Sequence, residues 1–256
     1  ASGDFDAAGI TTVDAIAHTT RPEVIVNAVG FMGIDACEKE PDRAFRVNTL
    51  FPRRLAELAN EMNAVLVHFS TDAVFDDRKA GAYTERDRPH PRSLYGLTKH
   101  GGDCLVQALA RRYFIFRIST LFGPSRHSRQ FVERMLARIR AGEKTLSIAD
   151  DVVSSPSYSL DVARAVQRVL ESHRPSGLYH LANRGKASLY DLLACVVDEL
   201  HLDVELQPVS HRLFPSIGVK NAYSPLRSVK IAGLRPWRQA AAAYCRDLRT
   251  TDSFSR

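Results

Sequence analysis

Short apolar runs alternate with longer stretches of helical period along the first half of the chain. Val24-Ile25-Val26-Asn27-Ala28-Val29-Gly30 is rich in β-branched residues with little polar alternation, which predicts a strand covered on both faces. A helical pattern precedes it around Thr12 to Thr20, and another follows over 41–61, opening on Pro41, a favourable first-turn residue. Ala64 to Phe69 predicts a second buried strand and Phe114-Ile115-Phe116-Arg117-Ile118 a third. Between them lie a loop from Asp76 to Arg92 and a helix carrying Tyr95 to about Arg112. Strands and helices in alternation predict an α/β protein with a parallel, doubly wound sheet.

Beyond Gly123-Pro124 the rhythm shortens. Helices are expected over 130–141, 159–171, from Ser188 to about His201 and from Pro236 to Leu248. Short strands are expected at Thr145 to Ala149 and Leu178 to Ala182, with Val204 to Val209 extended. Asp150 to Tyr158 reads as a polar loop, and Phe214 to Leu234 as a loop-rich tail. No internal repeat or linker divides the chain. The expected division is a sheet domain over 1–122, joined by parts of 151–184 and the last helix, and a smaller interleaved α/β lobe over 123–256.

Charge narrows the partners. With 35 Lys and Arg against 29 Asp and Glu, a net charge of +6 and a pI near 9.3, the chain favours anionic ligands such as dinucleotides or nucleotide sugars. The basic residues are scattered among acids rather than gathered into a stripe, so nucleic acid is not an expected partner. No apolar run approaches the ~20 residues of a membrane span, and the first residues do not read as a signal peptide. Cys37, Cys104, Cys195 and Cys245 show no metal-ligand spacing, and the nine histidines form no cluster. Free thiols, a cytoplasmic setting and no metal site follow as expectations. A homodimer is the form of assembly left open.

Candidate chemistry concentrates in two stretches. In Ser93-Leu94-Tyr95-Gly96-Leu97-Thr98-Lys99-His100, a helix places Tyr95 and Lys99 on one face, where an ammonium would favour the phenolate. In His68-Phe69-Ser70-Thr71-Asp72, hydroxyls fall at the C-terminal end of a strand, the edge where open α/β sheets bind ligands. Plainer readings stand beside these. Thr71 could bond its own loop, Ala28 to Gly30 could be tight packing, and Asp150-Asp151 a solvated loop. Asn48 is expected to satisfy backbone groups and Trp237, the only tryptophan, to anchor the last helix.

The ordered set of short motifs resembles the extended short-chain dehydrogenase/reductase superfamily, and within it the dTDP-4-dehydrorhamnose reductase family. The likeness is carried by Gly3-Asp4-Phe5, Arg21 to Ala28, Ile34-Asp35 with Glu38 to Pro41, and Val47-Asn48. It continues through His68 to Phe75, Tyr95 to Lys99, Arg117 to Thr120, Asp150-Asp151 with Ser155 to Tyr158, Gly177 to Ala182, and Ser224 to Trp237. The resemblance implies a Rossmann-like fold and hydride transfer from NADPH or NADH to the 4-keto group of a nucleotide-linked deoxysugar. It implies Tyr95 as proton donor, Lys99 on the nicotinamide ribose and holding the tyrosine's pKa down, and Thr71 orienting the substrate oxygen. Asp4 and Phe5 would bracket the adenine, and Ala28, Val29 and Gly30 would pass close to the cofactor. Ile34, Thr71, Asp72, Ala73 and Thr120 would face the substrate.

Two departures qualify the likeness. The Gly-x-x-Gly-x-x-Gly turn with its flanking strand–helix–strand unit is absent. That predicts either part of a longer protein or a natural truncation unable to hold a dinucleotide in the usual way. The apolar edge that the Val24 strand would otherwise expose favours the former. Ala73 and Thr120 also stand where the family commonly has aromatic residues, implying a wider or more polar pocket. A catalytically silent nucleotide-binding protein and a nucleotide-sugar epimerase are the competing expectations. A dehydratase is disfavoured, because Asp72 alone follows Thr71 where those enzymes carry an acidic pair.

Overall fold

A computed structural model describes residues 11–124, 130–172 and 174–250. The sheet domain opens with helix α1 (Thr11–Thr20), strand β1 (Val24–Asn27) and the short helix α2 (Ile34–Lys39). Helices α3 (Pro41–Phe45) and α4 (Phe51–Glu61) are continuous through a π-helical turn at Arg46–Leu50. Strand β2 (Val65–Thr71), a 3₁₀ turn at Asp72–Val74, helix α5 (Leu94–Leu109) and strand β3 (Tyr113–Ile118) follow. Next come β4 (Leu121–Phe122), α6 (Phe131–Arg140), β5 (Thr145–Ala149), β6 (Val153–Ser154), β7 (Ser157–Tyr158), α7 (Ser159–Glu171) and β8 (Gly177–His180). The chain closes through β9 (Asn183–Arg184), β10 (Ala187–Ser188), α8 (Leu189–Leu200), β11 (Glu205–Val209), β12 (Leu234–Pro236) and α9 (Trp237–Thr250).

Strands β1-β2-β3-β8 form the parallel sheet in that order. Leu66 and Ile115 point to the face covered by Leu55 and Leu58 of α4 and Val106 of α5. Val67, Phe114 and Phe116 point to the opposite face, against Val162, Ala165 and Val169 of α7. Helices on both faces explain why these strands carry continuous apolar runs rather than alternation. The doubly wound α/β architecture is therefore as expected. Strand β1 departs from its expected cover: it bonds to β2 alone among the described residues, and Val24 and Val26 are exposed by 40% and 56%.

The second apolar cluster binds α6, α8 and α9 around Phe122, Tyr158, Trp237 and Tyr244. Trp237 is buried there at the start of the last helix, as its isolation in the sequence suggested. Helix α8 begins with a capping box, in which the Ser188 hydroxyl takes the Asp191 N–H and the Asp191 carboxylate takes the Ser188 N–H. Replacing Ser188 by Ala is expected to lower stability by about 1 kcal/mol, measured by urea denaturation, with no change in slope.

Asp150 to Tyr158 is not a polar loop. It holds β6 and β7, and Ser154, Ser155, Ser157 and Tyr158 are all buried. The serines tolerate burial because each hydroxyl is partnered: Ser155 Oγ, for example, donates to the Gly185 carbonyl and accepts from Leu226 N–H.

Candidate active site

Strand β2 ends at Thr71, and the backbone turns at once into the 3₁₀ turn, whose Ala73 N–H bonds Thr71 Oγ1 at 3.1 Å. The plainer reading of Thr71 thus holds without excluding the other, because the same hydroxyl donates to Asp72 Oδ1 at 3.2 Å and meets the Tyr95 phenol. Helix α5 is aimed at this turn by two caps. Ser93 Oγ accepts the Gly96 N–H, and Glu38 Oε1 accepts the Leu94 N–H. Gly96 lets the helix come against the turn itself, since a Cβ there would lie 2.2 Å from the Ala73 carbonyl oxygen.

Burial pushes the Tyr95 phenol up to about 12. The Thr71 hydroxyl acts in the opposite direction, and the charges of Asp72, Cys37 and Asp103 push it further up. Lys99 does not hold it down as expected. Its ammonium turns instead to the Phe69 carbonyl at 2.6 Å, and desolvation outweighs any help to the phenolate. Tyr95 is therefore a protonated phenol at neutral pH, the form a proton donor needs. Burial lowers Lys99 to about 8, against the opposing pull of Asp103, so at neutral pH it is mostly a cation.

Asp72 gathers three hydroxyls: Ser224 Oγ at 2.6 Å, Ser119 Oγ at 2.8 Å and Thr71 Oγ1. Burial raises its pKa and these donors lower it. Asp72 also joins the Thr71–Tyr95 pair to a cavity of about 770 Å³. Ile34, Asp72, Ala73 and Thr120 all line that cavity, whereas Thr71, Tyr95 and Lys99 are not part of its wall. Thr120 Oγ1 lies 2.7 Å from Ser154 Oγ, a hydroxyl pair at the position of one expected aromatic.

The remaining wall was not anticipated. Phe131, Arg134 and Arg138 come from one face of α6, and His211, Phe214, Lys220 and Asn221 from the segment after β11. That segment is strapped across the site by carboxylates. Asp151 takes Ser210 Oγ and the His211 N–H; Asp35 takes Ser216 Oγ and the Ile217 N–H; Asp77 takes the Ala222 N–H. Asp151 is an anchor here rather than a solvated side chain. The sequence carried two signals for this wall: the i, i+3, i+7 spacing of Phe131, Arg134 and Arg138, and a long stretch without regular structure.

Of the residues expected to meet a dinucleotide, Ala28, Val29 and Gly30 keep their backbone open to a ligand. The turn after β1 presents Ala28 and Val29 exposed, with the Val29 N–H held by Asn27 Oδ1. A Cβ on Gly30 would meet nothing closer than 3.6 Å, so the backbone stays approachable. Asn48 holds the next residue by both backbone groups, accepting from the Phe31 N–H and donating to its carbonyl, as expected of it. Ser70 Oγ is buried without a partner among the described residues. Asp4 and Phe5 lie outside the described residues.

Fold and site define a class: a Rossmann-like α/β protein with a Thr–Tyr–Lys group at the C-terminal edge of its sheet, beside a cavity of about 770 Å³. The chain belongs to the RmlD substrate binding domain family, whose model matches residues 1–250. It is 32% identical over 231 residues to the spore coat polysaccharide biosynthesis protein SpsK of Bacillus subtilis (strain 168), covering 89% of this chain and 80% of that protein. It is 31% identical over 256 residues to the dTDP-4-dehydrorhamnose reductase of Aggregatibacter actinomycetemcomitans, covering 93% and 86%. Among solved structures, the dTDP-4-dehydrorhamnose reductase of Bacillus anthracis str. Ames in complex with NADP superimposes with a TM-score of 0.88 at 26% identity, covering 95% and 87%.

Proposed function

We propose that this protein is an oxidoreductase that reduces the 4-keto group of a nucleotide-linked deoxysugar, using NADPH or NADH. The observation that carries the proposal is the protonated Tyr95 phenol meeting Thr71, with Asp72 leading from that pair into the cavity. The nicotinamide cofactor supplies the hydride. Lys99 would meet its ribose, Ala28, Val29 and Gly30 its flank, and Asp4 and Phe5 its adenine. Thr71 orients the substrate oxygen, and Tyr95 delivers a proton from Oη to the alkoxide forming there. Ile34, Asp72, Ala73 and Thr120 face the sugar. Arg134, Arg138 and Lys220, on the same cavity, suit a diphosphate.

In this reading residues 1–122, with parts of 151–184 and the last helix, seat the cofactor, and 123–256 mainly seat the sugar nucleotide. The four cysteines, all free, support a reducing cytoplasmic setting. No helix among the described residues is long and apolar enough to cross a membrane.

The test is an assay of nicotinamide absorbance with dTDP-4-dehydrorhamnose, the substrate class that the relatives' names carry. Oxidation of NADPH or NADH that depends on the keto sugar is the expected result. Binding of the nucleotide sugar with no oxidation of either cofactor would favour the silent binding protein instead.

A further inference from the structure

The hydroxyls gathered around β6 and β7 are of two kinds. Ser119 and Ser224 each give their hydrogen to Asp72 Oδ2, at 2.8 and 2.6 Å. Ser155 gives its hydrogen to the Gly185 carbonyl at 2.9 Å, and Ser157 to the Ser155 carbonyl at 3.0 Å. Each of these hydrogens ends on a carboxylate or a carbonyl, the ordinary way to bury a hydroxyl. Thr120 and Ser154 differ. Their oxygens lie 2.7 Å apart and bond only each other among the described residues. Two hydroxyls carry two hydrogens. One closes the bond between them, whichever residue donates it, and the other finds no acceptor among the described residues.

Both residues line the large cavity, and Ser154 is only 4% exposed. The surplus hydrogen and the lone pairs beside it are therefore offered to what occupies that cavity. Backbone pairing fixes where they are offered. The Thr120 carbonyl takes the Ser157 N–H at 2.8 Å, next to the pairing of β4 with β7, and Ser154 is paired with Ala187 of β10. The pair also adjoins the reacting corner. Thr120 follows Ser119, whose hydroxyl is on Asp72, and Ser154 precedes Ser155, whose N–H bonds Ser119 Oγ at 3.3 Å. Asp72 in turn takes the Thr71 hydroxyl. A ligand group at this corner belongs to the ring that carries the reacting carbonyl.

We propose that Thr120 and Ser154 are a specificity-determining pair that holds a free hydroxyl of the hexose ring. The protein then selects keto sugars that keep this hydroxyl over those deoxygenated at that carbon. The proposal rests on the nucleotide-sugar reading above and adds to it the class of sugar accepted. A ring hydroxyl suits the pair because its oxygen accepts the surplus hydrogen while its own hydrogen finds a lone pair. A deoxy sugar would leave the surplus hydrogen covered and unbonded, which is the physical basis of the selection.

The experiment measures binding first and turnover second. dTDP-rhamnose and its 2-deoxy and 3-deoxy forms are titrated into the protein by calorimetry with NADP added. The corresponding 4-keto sugars are then compared in kcat/KM. The parent is expected to bind the fully hydroxylated sugar roughly 10- to 100-fold more tightly than one of the deoxy forms, with the same ratio in kcat/KM. In Thr120→Val with Ser154→Ala the ratio should fall below about threefold, whereas Thr120→Ser, which keeps both hydroxyls, should retain it. Because the two hydroxyls bond only each other, removing both orphans no polar group, and the double variant is expected to fold. A parent that binds all three sugars alike overturns the proposal without any variant. So does a double variant that weakens every sugar equally and keeps the parental ratio, since that is the mark of a merely structural pair. Selective binding without oxidation of NADPH would remove the reductase and leave this proposal standing, and turnover without selectivity would do the reverse. A protein that binds none of the three sugars loses both.

Discussion

Tyr95→Phe is expected to lower kcat for keto-sugar reduction by roughly 10²- to 10⁴-fold, the range of a lost general acid, while NADPH affinity stays within about threefold. The exchange removes one oxygen and leaves the ring, so the wall between α5 and the 3₁₀ turn keeps its shape. What disappears is the single proton that can reach the substrate oxygen from this side. Thr71 is a poor replacement, because an aliphatic hydroxyl is a much weaker acid than a phenol. Lys99 has another task in the proposed reading, its ammonium being shared between the Phe69 carbonyl and the cofactor ribose. The measurement is steady-state reduction alongside a fluorescence titration of NADPH. A variant retaining more than about a tenth of the parental kcat would remove Tyr95 from the chemistry, and Thr71 would become the donor to test.

How legible the fold was depended on where each segment finds its partners. Strands β2 and β3 announced themselves because both of their faces are buried, which leaves an unbroken apolar run at any point along them. Helices α4, α7 and α8 carry apolar stripes that need no knowledge of the partner. Helix α2 escaped, since six residues reading Ile-Asp-Ala-Cys-Glu-Lys contain too little of a stripe to register. Strands β6 and β7 escaped for the opposite reason. Their serines look like loop residues, and become buried only because Gly185, Leu226 and Ser119 bring hydrogen bonds from distant parts of the chain.

The candidate site divides in the same way. Thr71, Tyr95 and Lys99 were visible because a strand end and a helix face fix them locally. The cationic cavity wall was not, because Arg134, Arg138 and Lys220 meet only after α6 and the strap over 210–222 have packed. The ionisation of Tyr95 was misjudged for a related reason. Four-residue spacing places a lysine near a tyrosine, but the depth of burial and the pull of the Phe69 carbonyl are properties of the packed state.

Gly96→Ala is expected to destabilise the protein by about 1–3 kcal/mol, although alanine is the better helix former by roughly 1 kcal/mol. The added methyl would stand 2.2 Å from the Ala73 carbonyl oxygen and 3.1 Å from Pro91 Cβ. The first is a backbone atom in a turn fixed by the Thr71 cap, so it cannot swing aside as a side-chain end would. Helix α5 must then lift from the turn, carrying Tyr95 away from Thr71. Displacement of that kind should lower kcat by roughly 10- to 100-fold in the fraction that folds. Gly101→Ala, in the same helix, is the control. Its methyl would meet only the Thr49 side chain, with Cγ2 and Oγ1 both at 3.1 Å, a contact that a shift of a few tenths of an ångström relieves and that touches no backbone atom. Gly101→Ala should therefore lose clearly less stability than Gly96→Ala and keep its turnover. If the two variants behave alike in melting and in rate, close contact between α5 and the Ala73 turn is not what sets the Thr71–Tyr95 geometry.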